Sequence, residues 1–198
     1  MLDIDKVRKN SDKIDWFKLS CFEKLSEDFI REFQDEIDWN CISSYQELSE
    51  EFIREFQHKV DWYNISADQK LSEDFIREFQ DKINWINIAY YQVLSEDFIR
   101  EFQHKVGWAQ VCYKQKLSEN FIREFQDRVS WVNVSIYQKL SEDFIKEFKH
   151  KLPFDYLCTS QSLSKEFIIE FINKIDFESI LINENISDEI KAFCKIFI

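Results

Sequence analysis

His58, His104 and His150 occupy one position of a recurring pattern, where they alternate with Asp35, Asp81 and Asp127 and end in Asn173. Imidazole and carboxylate together are a donor set that suits zinc. Trp16, Trp39, Trp62, Trp85, Trp108 and Trp131 recur at the same interval. Such an aromatic ladder could stack on sugars, choline or bases. Arg31, Arg54, Arg77, Arg100 and Arg123, then Lys146, form a stripe that could meet phosphates. Gln46, Gln69, Gln92, Gln115, Gln138 and Gln161 could hydrogen-bond an extended peptide. Cys21, Cys41, Cys112, Cys158 and Cys194 contain no CxxC pair.

Each feature has a structural competitor. Equivalent positions on stacked helices lie about 8–10 Å apart, too far to share one ion, so no metal site is expected. The Trp positions become Phe154 and Phe177 later in the chain, and a ring without an N–H points to packing. Glu27, Glu50, Glu73, Glu96, Glu119 and Glu142 lie four residues before the basic stripe, the favourable order for helix ion pairs. Glu55 with Lys59 and Glu101 with Lys105 repeat that order, so a self-neutralised face is expected. The Gln amides suit a polar junction between repeats. The Cys are expected to be free thiols filling apolar space in a reducing compartment. No carboxylate pair, nucleophile with base, or phosphate loop stands out, so neither an enzyme nor a cofactor is expected.

The elements that position these residues follow from the repeat. Leu25, Leu48, Leu71, Leu94, Leu117, Leu140 and Leu163 recur every 23 residues, each opening a version of LSEDFIREFQ. A degenerate repeat starts at Leu2 and a truncated one at Ile186. Counting from that Leu, apolar residues fall at positions 1, 5, 6, 9 and 13, one helical face. Ser at position 2 is an N-cap, followed by acids at the positive end of the dipole. Helix A is therefore expected over positions 3–12. Position 14 holds Asp15, Asp38, Asp61, Asn84, Gly107, Ser130, Pro153 and Asp176, types that begin a helix. A shorter helix B is expected over positions 15–22.

Neither helix persists alone in water. Stacking must bury their apolar faces, which predicts an all-α protein, an αα-solenoid of about eight helix-turn-helix repeats. Fourteen of the 20 Phe stand at positions 5 and 9 and form the expected core. The expected organisation is one repeat domain over 1–198: a polar cap over 1–24, six regular repeats over 25–162 and a divergent apolar end over 163–198.

The chain has 198 residues, 44% of them hydrophobic, and a net charge of −12. Disorder is excluded by the apolar content. The acidic balance argues against a nucleic-acid backbone as main partner. No apolar stretch is long enough to span a membrane, and the opening MLDIDKVRKN has no signal-peptide core.

The outer positions of helix A barely change, whereas positions 16, 17 and 20 of helix B change at nearly every repeat. All seven Tyr fall on the B helices. Position 19 is small (Ser43, Ser66, Ala89, Cys112, Ser135), so B helices should approach more closely than A helices and lie on the concave side. A fixed frame with a varied face suits a protein-binding scaffold. Its expected contact residues are Tyr63, Ile86, Tyr90, Ala109, Tyr113, Val132 and Ile136. A self-assembling structural component is the alternative, and a nucleic-acid-binding repeat a weaker third.

The residues 71–80, with Trp85 and Gln92 and their counterparts, resemble a family of short repeats in proteins of large DNA viruses of amoebae, the Marseillevirus-like group among them. The resemblance covers nearly the whole chain. It implies a viral protein located in the host cytoplasm or virion and not secreted, with a host or viral protein as partner. It implies no catalytic residues.

The two ends differ. Lys6 and Asn10 stand where Phe stands elsewhere. At the other end Ile169 replaces Arg, Ile172 replaces Gln, and the tail adds Ile190, Phe193, Phe197 and Ile198. Either the tail covers this patch within one chain, or the patch pairs two copies as a homodimer.

Overall fold

The computed structural model describes residues 4–198. Leu2, expected to open the first repeat, lies outside the described residues. Among the described residues the chain forms seventeen α-helices and two short 3-10 turns, with no strand. The chain is an all-α repeat protein of the αα-solenoid class. It divides into two compact units, Met1–Leu94 and Ser95–Ile198.

In the first unit the A helices are Glu27–Glu32, Glu50–Glu55 and Glu73–Glu78, after an opening helix Ile4–Lys9. The B helices are Trp16–Phe22, Trp39–Tyr45, Trp62–Asp68 and Trp85–Tyr91. The second unit continues with A helices Glu96–Glu101, Glu119–Glu124, Glu142–Glu147 and Lys165–Glu170. Its B helices are Trp108–Lys114, Trp131–Tyr137, Phe154–Ser160 and Phe177–Ile182, and Asp188–Cys194 closes the chain.

Helix starts follow their caps. Ser26 accepts from the Phe29 N–H and Asp38 from the Cys41 N–H, satisfying amides that a first turn leaves without partners. Gly107 and Pro153 fill the same position without a side-chain bond. Helix B starts at position 15, as expected. Helix A ends at position 8 rather than 12. Phe33 at position 9 leaves helical geometry at φ −108°, and its carbonyl accepts from both the Glu36 and the Ile37 N–H. The apolar spacing continues to Ile37 because the turn buries Phe33 and Ile37 while Asp35 and Glu36 stay exposed.

The core lies between successive repeats. Phe52 and Phe75 in the first unit, and Phe98, Phe121, Phe144 and Phe167 in the second, are fully buried or nearly so. Within each unit a Trp meets Phe of the following repeat, as Trp39 meets Phe56 at 5.0 Å and Trp108 meets Phe125 at 4.9 Å. Within each unit successive B helices lie directly against one another, whereas the Phe side chains hold successive A helices farther apart. Small residues at position 19 allow that approach.

Candidate functional site

The candidate site is what remains after the repeats have used their polar groups on one another. The Gln carboxamides are fully committed. Gln69 Nε2 donates to the carbonyls of Ser43 and Gln46 at 2.9 and 2.7 Å, and its Oε1 accepts from the Leu48 N–H at 3.1 Å. Gln138 does the same in the second unit. The amides are buried and leave nothing for a foreign peptide backbone. The last B helix is one residue shorter, and Asn183 takes over, donating to the carbonyls of Cys158 and Gln161 at 2.8 Å.

The Trp indoles are occupied as well. Trp39 Nε1 donates to the Gln34 carbonyl at 2.9 Å, and Trp131 Nε1 to the Gln126 carbonyl at 3.1 Å. Each indole thus holds the turn that ends helix A. Its N–H has a structural use, though not a recognition one.

The basic stripe links repeats. Arg31 Nε donates to Glu55 at 2.8 Å and Arg100 Nε to Glu124 at 2.8 Å, each in the following repeat. The guanidinium also lies over the next repeat's Phe, Arg31 5.0 Å from the Phe52 ring. Glu55 is therefore not the partner of Lys59, contrary to expectation. Position 12 follows the end of helix A, where the i,i+4 geometry is lost. Lys59 instead reaches back to Asp35 at 2.8 Å and to Gln34 at 3.0 Å.

The alternation of His and Asp has the same setting. Asp127 accepts from Lys151 at 3.3 Å, and His104 Nδ1 lies 3.4 Å from the Arg128 guanidinium. Each faces the base of the next repeat. Among the described residues no three His, Cys, Asp or Glu gather as a metal group.

The expectation of five free thiols is corrected. Cys21 and Cys41 form a disulfide between consecutive B helices, because stacking places their Cα atoms 4.8 Å apart. Cys112, Cys158 and Cys194 are free and buried. The first two stand at position 19, where Ser43 elsewhere donates to the Trp39 carbonyl and accepts from the Asp61 N–H. Burial pushes both thiols up to about 11, partly offset by the N–H groups of Ser130 and Asp176. These sulfurs stand in for the serine oxygen toward the next repeat's cap.

The seven expected contact residues divide between the units. In the first, Tyr63 and Ile86 are 61% and 57% exposed, and Tyr90 is half-buried beside Tyr91, with ring centroids 4.7 Å apart. In the second, Ala109 and Val132 are exposed, while Tyr113 and Ile136 are half-buried. Tyr113 meets Tyr137 of the following repeat edge-on at 4.3 Å. Position 17 is not part of a free face. Asn87 Nδ2 donates to the Tyr63 carbonyl at 3.0 Å, and Asn133 Nδ2 to the Ala109 carbonyl at 2.8 Å.

Position 21 was missed. Phe22, Tyr45, Tyr91 and Tyr137 there are exposed, beside clefts where each B helix turns into the next A helix. Its signal was present, since position 21 is also Tyr-rich and varied.

The C-terminal residues are split by use. Phe197 stacks on Phe177 at 5.0 Å and meets Phe193 at 5.3 Å, and Lys165 Nζ lies 4.5 Å from the Phe193 ring. Ile172, Ile190 and Phe193 are half-buried. Ile169 and Ile198 stay exposed, together with Ile182 and Ile196. Ile169 and Phe193 are 24 residues apart, the offset that joins Arg31 to Glu55, so at this last junction an apolar pair replaces the ion pair in register.

Compared with known protein families, curated proteins and solved structures, the chain matches none.

Proposed function

We propose that the chain is a non-catalytic protein-interaction scaffold whose B helices bind a host or viral protein. One observation carries this reading. The recurrent Gln, Arg, Ser and Asn groups bond from repeat to repeat and the Trp N–H groups within their own repeats, while varied residues such as Tyr63, Ile86 and Val132 stand exposed on the B helices. Tyr63 and Ile86 offer apolar and aromatic area of the kind that anchors interfaces. The viral setting, in the host cytoplasm or virion, rests on the resemblance of the repeat. In the test, Tyr63→Ser with Ile86→Ser leaves the melting temperature within a few degrees of wild type, because exposed substitutions cost little. Cross-linked capture of the partner then falls at least about tenfold, the scale of one lost interface anchor. Capture unchanged by the pair refutes the assignment of these residues.

A second reading, a self-assembling structural component of a virion, is favoured by two observations. Disulfides persist on virion surfaces more readily than in cytosol, and Cys21–Cys41 is one. The C-terminal end also leaves Ile169, Ile182, Ile196 and Ile198 exposed.

A further inference from the structure

We propose that, in the second unit, the edge where B helices turn into A helices docks an extended acidic peptide. The inference rests on the scaffold reading and names its partner's chemistry. The edge comprises residues 113–116, 136–139 and 159–162. It carries Lys114, Lys116 and Lys139 and no acid, in a chain of net charge −12. The corresponding edge of the first unit sets Glu23, Glu47 and Asp68 against Lys24 and Lys70, so it is net acidic. Lys116 and Lys139 are exposed.

Acids on the A helices that follow Lys116 and Lys139 have partners of their own. Glu119 and Glu142, on the A helices that follow, accept from the backbone N–H of Ser141 and Ser164 at 2.6 Å each. Asp143 acts on Lys146 of its own helix. Position 120, acidic in most repeats, is Asn. Glu166 and Glu184 flank only the C-terminal end of the edge, which confines the basic stretch to Lys114–Lys139.

Shape agrees with charge. A cleft of about 320 Å³ opens between two repeats, lined by Ile136, Tyr137, Lys139, Ser160, Ser162 and Asn185. Tyr137 forms an aromatic ledge with Tyr113, whose ring also lies 4.6 Å from Lys114 Nζ. Lys116 and Lys139 are equivalent residues of neighbouring repeats, so their stems rise about 8–10 Å apart. A polyproline-type strand advances about 9 Å in three residues. The occupant is therefore an extended segment with a carboxylate at every third residue, its apolar residues resting on the tyrosine ledge. A nucleic acid is the poorer fit, because so acidic a protein repels a phosphate backbone beyond this short edge.

The test is fluorescence anisotropy with a fluorescein-labelled peptide of repeated Glu-Leu-Pro triplets, titrated with the full chain. Saturable binding is expected, lost at least about tenfold in Lys116→Glu with Lys139→Glu and weakened by salt. Both lysines are exposed, so the variant keeps the wild-type melting curve, which circular dichroism checks. No binding by wild type, equal binding of a Lys-Leu-Pro peptide, or unchanged binding by the variant overturns the inference. So does tighter binding of labelled oligothymidine. The titration needs no captured partner, so it reads the edge even where Tyr63→Ser with Ile86→Ser fails to support the scaffold.

Discussion

Arg31 holds Glu55 of the next repeat at 2.8 Å and reaches Glu27 of its own helix only at 3.5 Å. Its guanidinium also lies over the Phe52 ring of that next repeat, 5.0 Å from the centroid. The same side chain thus joins two repeats by charge and by contact. Within each unit the repeats are bonded by groups that each directs at its neighbour, as nearest-neighbour stability requires.

Gln69→Ala should be among the costliest polar substitutions. It leaves the carbonyls of Ser43 and Gln46 and the N–H of Leu48 without that partner. Each buried group left unsatisfied costs about 1–3 kcal/mol, so a loss of at least ~3 kcal/mol is expected in urea denaturation. Gln69→Glu restores the acceptor alone and should recover only part. A loss under ~1 kcal/mol would show that water replaces the carboxamide freely.

Much of this frame was legible in the sequence. Ser and Asp at fixed positions capped helices because a first turn leaves amides exposed whatever its surroundings. The Phe spacing named the core for the same local reason. The end of helix A was not legible, since a turn that buries Phe33 and Ile37 keeps the apolar period of a helix. The pairing of Arg31 with Glu27 was legible and forms at 3.5 Å, but its closer bond to Glu55 was not, because the spacing between repeats decides which carboxylate lies nearest. Position 17 looked variable, yet Asn64, Asn87 and Asn133 there bond backward to carbonyls. The aromatic content of position 21 was legible, whereas the clefts beside it were not, because their depth comes from neighbouring repeats meeting.

Acid should unfold the protein through its paired carboxylates. Glu32 is held below the usual range first by its bond from Arg8, Asp15 first by the Lys18 N–H, and Asp176 first by the Ser179 hydroxyl. A folded pKa below the unfolded one gives stability that is present above the unfolded value, about 4, and is lost as pH falls through the folded value. The melting temperature should be level from about pH 7 to 5 and fall below about pH 4. A fall already complete by about pH 5 would show that these carboxylates are not the cause.

Thiol chemistry should report folding. Native protein without reductant should react slowly with a disulfide reagent at pH 8, because Cys112 and Cys158, pushed up to about 11, are buried and protonated there. Denaturant should release Cys112, Cys158 and Cys194, and prior reduction should add Cys21 and Cys41. Rapid labelling of all five in native, unreduced protein would contradict both the bridge and the burial.

The C-terminal end should pair two copies. At the last junction Ile169 stands in the register of Arg31 and Phe193 in that of Glu55, so the chain ends its ion-pair ladder with an apolar step. The tail uses Phe193 and Phe197 against Lys165 and Phe177. It still leaves Ile169 49% and Ile182 74% exposed. Apolar area left wet at the end of a repeat stack favours association, and identical ends close most simply as a two-fold pair. Light scattering after gel filtration at micromolar concentration should give a mass twice the 24.2 kDa of one chain. Ile169→Arg with Ile182→Ser should return it to one chain without lowering the melting temperature, since neither side chain is buried. A wild-type mass of one chain across the concentration range would show that the tail alone suffices to end the stack.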